Sequence, residues 1–244
     1  MPPPSADTFD IAPLVMESIG WMRCDLRDRY ETHHQAPLAR GTEGFVELRA
    51  GFDHEQALLG LEGFERIWLL FAFHRNPRAE RSPTLIQPPR HEGRVGVFAT
   101  RSPHRHNGIG MSCVRLLGVE GRRVHVAEID ILDGSPILDI KPYLPEWDAF
   151  PTASTGWAQP RRRFEVTFTP AVAEGLARIA EATGQRLDRF AAVQLQFDPL
   201  DASRKRIRLG ADGLGELSYQ RYRLRYRVDE VAGVVVVMGV AEYG

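Results

Sequence analysis

The chain has 244 residues, 43% hydrophobic and 26% charged, with 22 Gly, 17 Pro and a formal net charge of -1. Those values exclude a disordered chain, a collagen-like repeat and a coiled coil, and they predict one large domain or one with a smaller companion. Two cysteines, Cys24 and Cys113, without a C-x-x-C pair indicate neither a disulfide framework nor a cysteine zinc site, and a reducing compartment is expected.

The opening Met1-Pro2-Pro3-Pro4-Ser5-Ala6-Asp7 is acidic and proline-rich. It does not read as a secretory signal, so a cytoplasmic location is expected. Short runs of strand formers separated by turn residues follow: Ser18 to Arg23, Gly44 to Arg49, Arg66 to Phe73, Val95 to Thr100, Ser112 to Val119, Arg122 to Ile129 and Ile137 to Ile140. Their spacing favours an antiparallel sandwich or barrel over repeated βαβ units. One short helix is predicted between the second and third runs, from an Asp53 N-cap to a stop at Gly60 or Gly63. The greasiest runs, Ile67 to Phe73 and Val231 to Ala241, fall well short of the roughly 20 residues a membrane helix requires. They are expected as buried strands, and no membrane partner is expected.

Pro151 to Pro160 is poor in charge and rich in small residues and turn formers, which predicts a linker between a domain over 10–150 and a small α+β domain over 160–244. Beyond it, Thr169-Pro170 opens a helix that Gly184 stops, with Val172, Leu176, Ile179 and Ala180 on one face. A second helix is predicted from Leu187 to Phe197, ended by Asp198-Pro199. From Leu217 to Val228 the period becomes two, with Tyr222, Leu224, Tyr226 and Val228 on one side and Arg221, Arg223, Arg225 and Arg227 on the other. Asp229 to Gly233 turns the chain, and Val234 to Met238 returns as a central partner strand.

Charge is unevenly spread. Pro160 to Arg227 holds 14 basic against eight acidic residues, leaving 17 against 24 elsewhere. Arginines spaced about 6.6 Å apart along one strand face suit the phosphates of an RNA strand. Pairing with carboxylates of a neighbouring strand or of another subunit is the competing reading.

Several chemistries lack their residues. Neither Gly108-Ile109-Gly110 nor Gly213-Leu214-Gly215 sits between a strand and a helix as a Rossmann fingerprint requires. No phosphate-binding loop with its lysine exists, and Ser112 is not set in a nucleophile elbow. His33-His34 and His104-Arg105-His106 lack further clustered ligands, so no metal is expected. Cys113 reads as a small buried hydrophobe.

Two loops stand out. Val95 to Ser112 crosses a stretch dense in polar donors, and Ala127 to Tyr143 places Asp130, Asp133 and Asp139 around a Gly134-Ser135-Pro136 turn. Arginines, an asparagine and carboxylates near apolar strand ends suit a ligand that is part hydrophobic and part zwitterionic.

Three ordered blocks carry a resemblance: Leu61-Glu62-Gly63-Phe64 with Trp68 and Phe73-His74; Val97-Phe98-Ala99-Thr100-Arg101-Ser102 with Asn107 and Ile109-Gly110-Met111-Ser112; and Asp133-Gly134-x-Pro136 with Asp139-Ile140-Lys141-Pro142-Tyr143. With Ile19-Gly20 they extend over about residues 17–145. The chain resembles the TsaA-like, or TrmO, methyltransferases. That resemblance implies a mainly β protein whose N-terminal β-barrel, a non-Rossmann methyltransferase scaffold, binds S-adenosyl-L-methionine, in a homodimer. It implies N6-methylation of threonylcarbamoyladenosine at position 37 of tRNA, beside the anticodon.

By matching positions, cofactor contacts are expected at Gln35, Ala36, Pro37, His74, Arg75, Arg101, Met111, Asp130, Ile131, Leu132, Asp133 and Gly134. Arg101 would pair with the cofactor carboxylate and Asp130 or Asp133 with its ammonium or ribose. Arg105, Asn107, Lys141 and the arginines at 221, 223, 225 and 227 are expected to face RNA. Asp139 or Tyr143 is expected to accept the proton leaving the adenine nitrogen. Two departures stand against the family pattern. His106 and Gly108 replace prolines, and Asp198-Pro199-Leu200-Asp201-Ala202-Ser203-Arg204 lacks the Arg-Pro and Tyr of bacterial members. A methyltransferase with another small acceptor and a non-catalytic RNA-binding module therefore stay open beside the first reading.

Overall fold

The computed structural model describes residues 14–28, 41–51, 53–76, 83–88, 91–158, 162–202, 204 and 206–243. Strands β1 (Gly20–Cys24) and β2 (Glu43–Leu48) are followed by a single helical turn, α1 (His54–Ala57), and by β3 (Arg66–Ala72). The two-residue strands β4 (Leu85–Ile86) and β5 (Val95–Gly96) pair with each other, apart from the main sheet. Then come β6 (Ile109–Glu120), β7 (Arg123–Ala127) and β8 (Pro136–Pro142). Six of these strands close into a barrel in the order β1-β2-β7-β6-β3-β8, every neighbouring pair antiparallel.

Alternation explains the closure. Ile67, Leu69 and Phe71 of β3 point inward, as do Val124 and Val126 of β7 and Met22 of β1. They meet Val46, Val114, Ile129, Ile131 and Ile137 in one core. A sheet that is apolar on one face can bury that face by curling onto itself, which also removes its edges.

After the short helix α2 (Pro145–Asp148), the chain builds a second unit. It contains β9 (Glu165–Phe168), α3 (Pro170–Thr183), α4 (Leu187–Leu195), β10 (Ile207–Leu209), β11 (Gly215–Tyr219), β12 (Tyr222–Asp229) and β13 (Val234–Glu242). The sheet order is β10-β11-β12-β13-β9, with β9 parallel to β13. Helix α3 packs on β13 and α4 on β9, around Phe190, Leu217, Leu224, Tyr226 and Val235. Among the described residues no helix is long and apolar enough to cross a membrane.

Three expectations change. Val95 to Thr100 is not one strand: it bends into a 3-10 turn over Val97–Ala99, with the Thr100 hydroxyl donating to the Val97 carbonyl at 2.8 Å. Leu217 to Val228 is a hairpin, because Gln220 adopts φ 48° and reverses the chain so that Tyr219 lies opposite Tyr222. A two-residue reversal keeps both tyrosines on the inner face, so the buried positions pass from 217 and 219 to 222, 224 and 226, a shift of phase that marks the turn. The middle strand is consequently β12, with β13 between it and β9.

The hairpin fixes one contact tightly. A Cβ on Gly215 would lie 2.1 Å from the Tyr226 ring, whose hydroxyl donates to the Pro199 carbonyl at 2.6 Å. Gly215→Ala is expected to lower the thermal midpoint by several degrees. Tyr226→Phe should cost about 1 kcal/mol for the lost hydrogen bond. Unfolding curves followed by circular dichroism measure both, and an unchanged Gly215→Ala midpoint would refute the close approach.

Candidate active site

The loop between β5 and β6 is wired to itself by short polar side chains. The Ser102 amide donates to Thr100 Oγ1 at 3.2 Å, the His104 amide to Ser102 Oγ at 3.2 Å, and Arg105 Nη1 to the Thr100 carbonyl at 3.1 Å. Ser and Thr hydroxyls that bond backbone two residues on stabilise such irregular turns. Trp157, from the linker, adds a bond from its indole nitrogen to the Ala99 carbonyl at 2.8 Å. Gly108 closes the loop at φ 58°, and its carbonyl accepts from the Phe73 amide at 2.8 Å. Proline, with φ fixed near -65°, cannot take that conformation, so the path here differs from one with proline at this position.

Opposite lies the turn between β7 and β8. The Gly134 amide donates to the Met22 carbonyl at 2.8 Å, and the Met22 amide to Ser135 at 2.9 Å. The Asp133 amide donates to Leu26 at 2.9 Å, while Asp133 Oδ1 accepts from the Cys24 amide at 3.1 Å. These bonds leave Asp130, Leu132 and Ser135 facing the loop. Ser112 Oγ donates to Asp130 Oδ1 at 2.5 Å, and Ser135 Oγ lies 3.2 Å from His74 Nδ1.

Between loop and turn, at the β3/β6 end of the barrel, is a cavity of about 1000 Å³. Phe71, Phe73, Ile109 and Leu132 form apolar wall, and Phe71 and Phe73 meet edge to face at 5.2 Å. Gly110 forms part of the floor because a Cβ there would come 2.4 Å from the Phe71 ring. Arg27, Arg75, Arg101 and Arg105 line it together with Asp28 and Asp130, with His74, His104 and His106 also on the lining. The cavity therefore combines an aromatic shelf with a cationic excess.

Burial, and then the charge of Arg75, holds the His74 imidazole below its ordinary 6.5, against an opposing pull from Asp133. The ring is neutral at pH 7. Burial pushes the Cys24 thiol up to about 11 and also raises Cys113. Neither is a thiolate nucleophile at neutral pH, and both are free. Among the described residues no three His, Cys, Asp or Glu side chains converge on a metal position.

Of the residues expected at the cofactor, His74, Arg75, Arg101, Met111, Asp130 and Leu132 line this cavity, as do Arg105 and Asn107. Gln35, Ala36 and Pro37 lie outside the described residues. Ile131 is fully buried in the barrel core. Asp133 turns away into a second cleft with Cys24, Asp25 and Arg189, and Gly134, at φ 74°, serves the turn.

The residues expected to take the proton stand apart. Asp139 is level with Leu70 and ion-paired to Lys141 at 2.8 Å. Tyr143 meets the Trp68 ring at 5.7 Å, and its amide donates to Arg66. That places Tyr143 about five residues, roughly 16 Å, along β3 from Phe71. The arginine row is largely paired: Arg221 with Glu242 at 3.0 Å, Arg223 with Glu216 at 3.9 Å and Arg225 with Asp212 at 3.2 Å. Arg221 also belongs to the hairpin turn rather than to β12. Sequence reading missed the Arg27-Asp28 wall and the Ser112–Asp130 pair. The first follows a strand with no motif. The second joins positions whose strand register no local pattern specifies.

Residues 21–149, over half of the chain, match the family model of the tRNA-methyltransferase O N-terminal domain. The chain belongs to this family. The tRNA (adenine(37)-N6)-methyltransferase of Escherichia coli is 37% identical to this tRNA-methyltransferase O family member over 197 residues, covering 78% of this chain and 83% of its own. A Pseudomonas aeruginosa protein, RcsF, provisionally named an S-adenosylmethionine-dependent methyltransferase, is 43% identical over 173 residues, covering 69% and 72%. The crystal structure of TrmO from Pseudomonas aeruginosa superposes with a TM-score of 0.65 at 31% identity, covering 96% of this chain and 99% of that one. The barrel with its small α+β unit is thus the family's architecture, built without a Rossmann sheet.

The His74 environment gives a pH expectation. Because the folded imidazole binds its proton less readily than an unfolded one, the unfolded chain takes up more protons below pH 6.5, and the fold loses stability there as pH falls. An NMR titration of His74 should give a midpoint below 6.5, and Arg75→Gln should raise it. A midpoint above 6.5 in the parent chain would contradict the burial described.

Proposed function

We propose that the protein is an S-adenosyl-L-methionine-dependent methyltransferase that methylates N6 of adenosine 37 in tRNA, with the threonylcarbamoyl form as its acceptor. The observation that carries this reading is the cavity at the barrel end. Its volume of about 1000 Å³ reaches the top of the range for single small ligands, about 300–1,000 Å³. That volume is ample for the donor.

The lining fits the donor. The Phe71, Phe73, Ile109 and Leu132 surface suits an adenine ring, Asp130 suits an ammonium or ribose hydroxyls, and Arg101 suits a carboxylate. Bound there, S-adenosyl-L-methionine supplies an electrophilic methyl group on a sulfonium. The chain's own residues supply alignment and a water-poor, pre-organised wall. Arg105 and Asn107, on the loop, suit the carboxylate and carbonyls of a threonylcarbamoyl group. With Asp130 given to the donor, the lining group suited to take the proton that leaves N6 is neutral His74, held by Ser135.

In this reading the chain divides near residues 151–160 into a donor-binding barrel and an RNA-engaging unit. The arginine row supports the second role despite its partners. Those ion pairs are solvent-exposed and weak, so phosphates can replace the carboxylates. The reading includes a homodimer, for which the exposed Leu117 of β6 offers apolar surface, and a cytoplasmic location. A different acceptor is the second reading, favoured by His106 on the lining and by Gly108 at positive φ.

Calorimetry with S-adenosyl-L-methionine should show binding that Arg101→Ala abolishes. Mass spectrometry of tRNA nucleosides from a deletion strain should show methylated threonylcarbamoyladenosine only when the gene is restored. An unchanged nucleoside profile would favour the second reading. Replacing Arg221, Arg223, Arg225 and Arg227 by Gln should weaken tRNA binding and flatten its salt dependence. Equal salt slopes would leave the row a structural one.

A further inference from the structure

The segment that follows β1 lines the cavity and at the same time is gripped by the C-terminal unit. Leu26 is fully buried in the barrel core, while its neighbours Asp25 and Asp28 face away from that core toward α4 and β11. Arg189 Nη2 of α4 lies 2.7 Å from Asp25 Oδ2, with Arg186 at 3.7 Å. The pairing with Arg189 holds the Asp25 carboxyl below its ordinary range. The Tyr219 hydroxyl of β11 donates to Asp28 Oδ2 at 2.8 Å.

The Tyr219 grip is not a loose surface contact, whereas the Asp25 end of the Arg189 pair is 56% exposed. The Tyr219 ring is 5% exposed and lies 4.3 Å from the fully buried Phe190 ring, so the C-terminal core fixes where its hydroxyl points. Arg189 is 18% exposed. On the cavity side, Arg75 donates from Nη1 to the Arg27 carbonyl. Arg27, Asp28 and Arg75 all belong to the lining. A continuous path therefore runs from the C-terminal core through Tyr219 and Asp28 to the arginine beside His74.

We infer that Tyr219 and Arg189 are positioning residues for the methyl-donor cavity: the C-terminal unit holds the Arg27-Asp28 wall in place and so sets donor affinity. This rests on the functional reading above and extends it, since the C-terminal unit then serves the donor as well as RNA. A carboxylate clamped by an aligned hydroxyl keeps one orientation, whereas a freed one samples several and loses order against a ligand.

The test is calorimetry of the full chain with S-adenosyl-L-methionine, alongside thermal unfolding. Y219F should weaken binding about five- to tenfold, the scale of one ordinary hydrogen bond, and should lower the thermal midpoint no more than Tyr226→Phe does. R189M should weaken it, and R189K should recover part of the loss. The same Y219F change made in a D28N background should add almost nothing, because the bond is already weakened there. Equal affinities for parent and Y219F, or an equal loss in both backgrounds, would overturn the inference while leaving the functional reading intact. A parent chain that binds no donor would overturn both.

Discussion

The barrel closes across its shortest seam, where β1 and β8 share only two paired positions, Gly20 with Ile137 and Trp21 with Pro136. Closure is completed by the turn before β8, whose Gly134 and Ser135 exchange backbone hydrogen bonds with Met22 and whose Asp133 caps the Cys24 amide. The same turn carries Asp130, Leu132 and Ser135 to the cavity. Closing the sheet and assembling the site are therefore one event. Side chains on such a turn inherit the rigidity of the barrel, the kind of support an aligned reaction requires.

Much of this was legible in the sequence, for reasons that can be named. Inward alternation along Ile67, Leu69 and Phe71 and along Val124 and Val126 reports burial directly. Thr169-Pro170 and Gly184 mark the ends of α3 through local backbone chemistry alone. The motif blocks led to the cavity because six of the residues expected at the cofactor line it.

What escaped depends on distance or on hidden geometry. The Gln220 reversal carries none of the Asn-Gly or Asp-Gly signals of tight hairpins, and its only trace is a shift of the buried positions from odd to even numbers. That Asp133 accepts from the Cys24 amide is likewise hidden, since the two lie 109 positions apart. Asp28 meets Tyr219 across 191 positions of sequence. No local pattern encodes such a pairing. The arginine row shows a further limit: its alternation is visible, but the carboxylates opposite it come from β11, β13 and the loop before β11.

The floor of the cavity ties two positions into one inheritance. Gly110 has no side chain because the Phe71 ring occupies the space where one would stand. A larger residue at 110 must displace the Phe71 ring or meet a smaller residue there, and a smaller residue at 71 leaves a void unless 110 grows to fill it. Reshaping the floor therefore costs least when the two positions change together.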